Sequence, residues 1–227
     1  MHEIHLILAD SEVEIVPQPI QGHPAVVAHA KKRGKRPSRI LLDASYHHAA
    51  IRVKYPNEAE RRGRPDIAHF FLNVALESPL NKEGFLRTYI HTRNNEVIYI
   101  ARETKIPKAY HRFVGLIEHV FNNRFVPDTK NPLLWMENLT LKELIYKISP
   151  QKVVTLCHSG KKRRVDEYFS EIPESIAIII GGFPHGDFLS NIEEVSDDII
   201  SIYPGTLMAW VAAYEVIASI ERKLGII

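Results

Sequence analysis

In the stretch Arg61-Arg62-Gly63-Arg64-Pro65-Asp66-Ile67-Ala68-His69, three arginines, a rigid proline and a carboxylate fall within six residues, just ahead of an apolar run. Residues of these types at this spacing are suited to holding an anion. Proline at the first turn of a helix loses no hydrogen bond, and Asp66 one position later sits where the helix macrodipole favours negative charge. Arg64 then lies just outside the helix, beside a carboxylate that can orient its guanidinium fork. A fork held in that way matches a phosphate or a base edge, because arginine donates in a planar bidentate geometry. The plainer alternative is a capped surface helix with solvated arginines.

A second set of residues could hold a ligand through the backbone. Three turns, Leu156-Cys157-His158-Ser159-Gly160, Gly181-Gly182-Phe183-Pro184-His185-Gly186 and Ser201-Ile202-Tyr203-Pro204-Gly205-Thr206-Leu207, each follow an expected strand and are rich in glycine or small residues. Backbone groups can approach a ligand closely there. In open α/β sheets, ligands collect outside the carboxyl ends of strands, so the three turns are read together. The spacing matches neither a Walker loop nor a dinucleotide fingerprint.

The net charge of +2 conceals segregation. Lys31 to Arg36, Arg61 to Arg64 and Lys161 to Arg164 are basic, whereas Glu193 to Asp198 is acidic. Three basic runs favour a polyanionic partner, nucleic acid in particular, over a solvated surface. One cysteine, Cys157, excludes a disulfide framework and a thiolate zinc site; its place in an apolar strand makes it a packing residue. The pairs His2/His5 and His47-His48 lack a companion carboxylate at ligand spacing, and no metal is expected. His69, His91, His158 and His185 read as hydrogen-bonding residues near functional loops, the last two within reach of a bound ligand. No apolar stretch approaches the roughly 18 residues of a membrane span, and no signal-peptide pattern is seen, so no membrane partner and a cytoplasmic location are expected.

Positioning these residues requires a framework of alternating strands and helices. Short strands are expected at Ile4 to Ala9 and Arg39 to Leu42, flanking a helix from His23 to Lys32. Ile67, Phe70, Phe71 and Val74 give a helix from Ile67 to Glu77 its apolar stripe, ended by Ser78-Pro79. Strands Leu86 to Thr92 and Val97 to Ala101 flank a hairpin loop, and a helix opened by Pro107 turns Phe113, Leu116, Ile117, Val120 and Phe121 to one side. Phe125 to Leu139 reads as an irregular linker or lid. Thr140-Leu141-Lys142-Glu143 is a capping box. Strands at Lys152 to His158, Ser175 to Ile180 and Ile199 to Tyr203 follow, then a helix from about Thr206 to Leu224 capped by Gly225. The whole is α/β with a mostly parallel sheet.

The glycine turn Gly181 to Gly186 and Ile202-Tyr203-Pro204 resemble the cofactor loops of SPOUT-class methyltransferases. Arg64-Pro65-Asp66-Ile67-Ala68-His69, Ser78-Pro79-Leu80-Asn81-Lys82, Tyr89-Ile90-His91-Thr92 and Ile106-Pro107-Lys108 resemble the family of ribosome-biogenesis enzymes that methylate N1 of a pseudouridine in small-subunit ribosomal RNA. The resemblance runs in order from about Arg39 to the C-terminus, and the compact, tail-free chain is of the archaeal kind.

What the resemblance implies is a single SPOUT-type domain over residues 1–227. It would carry an RNA-binding insertion with a β-hairpin and helix at about 44–125, and a C-terminal trefoil knot at about 150–227. S-adenosyl-L-methionine would sit among the three loops, held by Gly181, Gly186 and the run Ile202, Tyr203, Pro204, Gly205, Thr206 and Leu207, with Leu156 and Gly182 as neighbours. Arg64 would contact small-subunit rRNA with Asp66 fixing its orientation, and Lys105, Lys108 and Arg112, spaced to share a helix face if the helix begins early enough, would meet phosphates or the target nucleotide. The enzyme would be a homodimer. Asp66 is also the one motif carboxylate on the expected RNA side that could take the N1 proton, although a carboxylate engaged by arginine is the poorer base. Two rivals stand beside this reading: a non-catalytic rRNA-binding assembly factor on the same fold, and a SPOUT enzyme acting on tRNA or another base.

Overall fold

The computed structural model describes residues 2–227. In chain order the elements are β1 (Glu3–Ser11), α1 (Pro24–Lys32), α2 (Ala44–Lys54), α3 (Pro65–Glu77), α4 (Pro79–Lys82), β2 (Leu86–Thr92), β3 (Glu96–Ile100), α5 (Tyr110–Asn123), β4 (Phe125–Val126) and β5 (Leu134–Asn138). They continue with α6 (Leu141–Ile148), β6 (Lys152–Lys162), α7 (Val165–Tyr168), β7 (Ser175–Gly181), α8 (Ile192–Val195), β8 (Asp198–Ser201) and α9 (Ala209–Lys223). One eight-stranded sheet runs in the order β4-β5-β3-β2-β1-β7-β6-β8. Its five strands β2, β1, β7, β6 and β8 are parallel, and β3, β5 and β4 continue it antiparallel. The sheet is therefore mixed, parallel on the side that carries the three glycine-containing turns.

Side chains alternate across the pleat, and the sequence of β1 shows the consequence. Ile4, Leu6 and Leu8 enter one core with Ile176, Ile178 and Ile180 of β7, closed by α3, α5 and α9. Ile7 and Ala9 enter a second with Ala177 and Ile179, closed by α6 and α8. A third cluster, built on Val26, Ala30, Ala50 and Ile51, joins α1 to α2. The stretch from 44 to 125 is woven into this architecture, since its β2 pairs directly with β1 from Ile4↔Leu86 onward.

Several sequence expectations are met at the level of local chemistry. Thr140 Oγ1 accepts from the Glu143 amide while the Glu143 carboxylate accepts from the Thr140 amide, the reciprocal capping box expected there. Gly225, at φ +66°, follows the end of α9. The hairpin between β2 and β3 turns at Arg93 to Asn95, with Asn95 at φ 58°.

Others are corrected. Arg39 to Leu42 is no sheet strand: Pro37–Arg39 is a 3-10 turn, and the chain beyond it pairs only with the 14–16 segment, through Ile15↔Leu41. Ile40 and Leu42 are apolar because they fill the α1–α2 cluster, not because they belong to the sheet. Phe125 to Leu139 is partly ordered by edge pairing of β4 and β5, with β5 on β3 from Ile100↔Leu134 to Glu96↔Asn138. On α3, Phe71 and Leu72 are buried but Phe70 is half exposed, its ring tilted against that of Trp210 at 4.9 Å. Residues 206 and 207 precede α9 as irregular chain, and Met208 is its N-cap, its carbonyl accepting from the Val211 and Ala212 amides, so the helix starts later than Thr206.

Candidate functional site

At the carboxyl ends of β6, β7 and β8 the three turns enclose a cleft of about 700 Å³. Each wall has a local cause. In β6, Leu156 and Lys161 both lie opposite Ile200 of β8, so the four residues Cys157 to Gly160 leave the ladder as an excursion. Gly160 is pinned there, because a Cβ would lie 2.7 Å from the backbone of Ile200. Cys157 is consequently not a buried strand residue; it lines the cleft beside His158, partly exposed, with Sγ 3.1 Å from Ser159 Oγ.

The second wall follows β7. A Cβ on Gly181 would come within 2.8 Å of the Phe183 ring, so the bare backbone lets that ring fold back over the strand end, where it meets Phe188 edge-on at 5.2 Å. Gly186 takes φ +83°, a left-handed conformation that suits glycine, as the loop turns over the cleft. Gly182 has another task. It donates to Ala9 O and accepts from the Glu12 amide, and a Cβ there would lie 2.8 Å from Ser11 Cα; it packs the loop against β1 and does not line the cleft.

The third wall is Ile202 to Met208, an irregular segment steadied by a bond from Ser201 Oγ to Tyr203 O at 2.8 Å. Ile202, Tyr203, Gly205, Thr206 and Leu207 line the cleft, and Pro204 does not. Ile180, Ile200, Ala209 and Ala212 give it an apolar floor. A cleft with apolar floor and walls of exposed backbone suits a ligand with a flat apolar part and a polar rim.

Arg64 and Ile67, from the start of α3, complete the lining. The Arg64 guanidinium is the fork expected from sequence: Nε donates to Asp66 Oδ1 and Nη2 to Asp66 Oδ2, both at 2.8 Å. The bond to Asp66 holds the guanidinium above its usual proton affinity, and both side chains are about one-third exposed, so the fork's outer edge is accessible. Behind it, Asp43 caps α2 by accepting from the Ser45 amide and also accepts from Tyr110 OH at 2.7 Å. Burial, with the Asp43 carboxylate beside it, pushes the Tyr110 phenol up, so it acts as a donor. His47 accepts from the Asp43 amide at Nδ1, and its Nε2 lies 2.9 Å from His29 Nδ1. Burial pulls His47 down to about 4, which keeps this pair uncharged at neutral pH.

The other two arginines of the cluster do not face a ligand. Arg62 forks onto the buried Glu14 at 2.9 and 2.8 Å, and Arg61 donates to the buried Glu12 at 2.5 Å. Arg93 joins them, reaching Glu12 and Glu58 at 2.7 Å each. In the first basic run, Arg33 and Lys35 are likewise taken up by the buried Glu118. Lys161 to Arg164 remain exposed.

Lys105 and Lys108 precede the helix, which begins at Tyr110, so they cannot share a helix face with Arg112; the chain bends at residues 108 and 109 before the helix starts. All three are exposed and outside the cleft, and Lys108 is bonded to Glu77 at 2.6 Å and Asn73 at 3.1 Å. His69 donates to Pro107 O at 2.8 Å and so ties their segment to α3. His91 accepts from the Asp10 amide, and Asp10 in turn accepts from Leu189 N, Ser190 N and Ser190 Oγ, anchoring the far end of the second wall. Trp210, Phe183 and Phe188 line the cleft without having been singled out by spacing; an aromatic two residues past Gly181 was the available signal.

Among the described residues no cluster of three His, Cys, Asp or Glu could hold a metal, and no helix is long and apolar enough to cross a membrane. A family model described as EMG1/NEP1 methyltransferase matches residues 6–221. The ribosomal RNA small subunit methyltransferase Nep1 of Thermococcus sibiricus is 50% identical over 228 residues, covering 97% of this chain and 99% of that one. Its counterpart from Pyrococcus furiosus is 48% identical, with 97% of each chain covered. Among solved structures, Archaeoglobus fulgidus Nep1 bound to S-adenosylhomocysteine superposes with a TM-score of 0.84 at 34% identity, covering 99% of both chains.

Proposed function

Because the chain belongs to the EMG1/NEP1 methyltransferase family, we propose that this S-adenosylmethionine-dependent rRNA methyltransferase acts on N1 of a pseudouridine in the small subunit. The observation that carries the reading is that Arg64, oriented by Asp66, lines the same cleft as the three strand-end turns. One wall thus serves both the RNA and the methyl donor.

The cleft fits the cofactor by the chemistry of its lining. Gly181 lets the Phe183 ring fold over the strand end and Gly186 lets the loop pass Arg61, Ile180 and Ile200 offer an apolar surface for an adenine, and the backbone of Ile202 to Leu207 offers polar groups for its edge and for the ribose. His158 and His185 stand at the exposed rim. Bound there, S-adenosylmethionine supplies an electrophilic methyl group.

The protein's part is positioning. Arg64 presents its outer donors to an RNA phosphate or base edge, and the Asp66 fork removes its freedom to do otherwise, so the nucleotide is delivered in one orientation. Asp66 is spent on Arg64, which favours orientation over proton abstraction as its role. The target must leave its stack or lie in an unpaired loop to enter the cleft. No covalent intermediate is needed. The Lys105, Lys108 and Arg112 ammonium and guanidinium groups extend the basic surface as phosphate contacts.

In this reading the enzyme works in the cytoplasm as a homodimer with a knotted SPOUT cofactor region at about 150–227 and an RNA-binding part at about 44–125. Support for the pairing comes from Phe70, Met208 and Tyr214, which are 49%, 59% and 59% exposed on or beside α3 and α9, next to the cleft. The test is a division of labour. Arg64→Ala is expected to weaken binding of an rRNA stem-loop and leave S-adenosylhomocysteine affinity unchanged, and Gly186→Val to do the reverse; equal loss of both in each variant contradicts the assignment.

A further inference from the structure

Arg61 stands between the two halves of the site. It lies in the turn that leads to α3, three residues before Arg64, yet its guanidinium is spent on the opposite wall of the cleft. Nη1 donates to Asp187 O at 2.6 Å, and the guanidinium carbon lies 4.1 Å from the centre of the Phe183 ring. Between those two contacts, Gly186 passes so close that a Cβ would stand 3.2 Å from Arg61 Nη1. A charged donor under a loop carbonyl, stacked on a ring of the same loop, is a clasp.

The ion pair with Glu12 does not by itself account for this residue. Arg93 already holds the other Glu12 oxygen at 2.7 Å, so Glu12 has a cationic partner without Arg61. Arg61 Nη2 is buried without a protein acceptor, which makes the side chain's burial costly if the pair were its only purpose. The loop itself is held at its start, where Gly182 bonds to Ala9 and Glu12, and at its end, where Asp10 accepts from Leu189 and Ser190. Across the intervening residues, Arg61 is the contact that joins it to the turn bearing Arg64.

We propose that Arg61 is a positioning residue that couples the two ligands: it makes the cleft loop Phe183 to Asp187 and the Arg64 turn one body, so that filling the cleft fixes the RNA-binding fork. This rests on the cofactor and RNA assignments above. Coupling of this kind is reciprocal, so each ligand raises the affinity of the other by the same factor.

The experiment measures the affinity of one rRNA stem-loop by fluorescence anisotropy, with and without saturating S-adenosylhomocysteine, and the affinity of S-adenosylhomocysteine by calorimetry. For the unaltered protein, RNA is expected to bind on the order of tenfold tighter when the cleft is filled. Arg61→Met, which leaves Glu12 paired with Arg93, is expected to reduce that factor to about one while RNA affinity without the cofactor stays within about twofold. Phe183→Leu removes the ring and leaves every charge in place; it is expected to lower the factor in the same direction, which a merely electrostatic role for Arg61 would not do. Should Arg61→Met fail to fold, Phe183→Leu decides alone. A factor that survives in the folded variants, or no coupling in the unaltered protein, overturns the role of Arg61. Failure of the unaltered protein to bind S-adenosylhomocysteine at all would instead overturn the cofactor assignment beneath it.

Discussion

Replacing Asp66 with asparagine removes one charge and one acceptor from the fork that holds Arg64. Both side chains are about one-third exposed, so solvent screens the pair and its contribution to stability is about 1 kcal/mol or less. Loss of a carboxylate from the first turn of α3 adds a few tenths of a kcal/mol. For a chain of this size the melting temperature should fall by about 2–5 °C. The effect on RNA is larger in proportion. Asparagine accepts through one oxygen and turns an amide toward Nη2, so the guanidinium regains rotamers that binding must again freeze, at about 0.5–1.5 kcal/mol, and a loss of RNA affinity of about two- to tenfold is expected. Anisotropy with a labelled stem-loop at one fixed salt concentration reads this directly. Single-turnover methyl transfer at saturating RNA should fall by less than tenfold. RNA affinity unchanged with a rate reduced a hundredfold or more would refute the reasoning and make Asp66 the base that takes the proton.

Two further outcomes follow from packing and burial. His47 is buried, with its pKa lowered to about 4, so the unfolded chain binds its proton first as pH falls; its contribution is complete above the unfolded value of 6.5 and is lost as pH drops toward 4. The difference in unfolding free energy between the native protein and His47→Gln should therefore shrink by on the order of 3 kcal/mol across that window in denaturant titrations, and a pH-independent difference would contradict it. Gly182→Ala would place a Cβ 2.8 Å from Ser11 Cα and is expected to destabilise by about 1–3 kcal/mol in the same titrations, because the opposing atom is backbone and cannot swing away.

The parts of the fold that could be read from sequence are those whose causes are local. The Thr140–Glu143 box, the Asn95 turn and Gly225 beyond α9 each depend on residues within a few positions of one another. Arg64 and Asp66 are two residues apart, and their fork was legible for the same reason. Arg61 and Arg62 look anion-binding in sequence because their partners, Glu12 and Glu14, lie 49 and 48 residues earlier, and no spacing rule shows such a pairing. Ile40 to Leu42 carried the composition of a strand, but composition records burial and not the neighbour; the burial here is against α1 and α2. Pro107 can open a helix that would carry Lys105 and Lys108, whereas the helix starts at Tyr110, whose hydroxyl is tied to Asp43. The neighbour of the half-exposed Phe70 is Trp210, 140 residues away in the chain.

The most direct test of the account is methyl transfer from labelled S-adenosylmethionine to two copies of one small-subunit rRNA stem-loop, identical except that one carries pseudouridine where the other carries uridine. The account predicts incorporation into the pseudouridine copy alone, with the label on ring nitrogen N1, because uridine presents a carbon at the corresponding position. Equal incorporation into both copies, or tight RNA and cofactor binding with none in either, would contradict it.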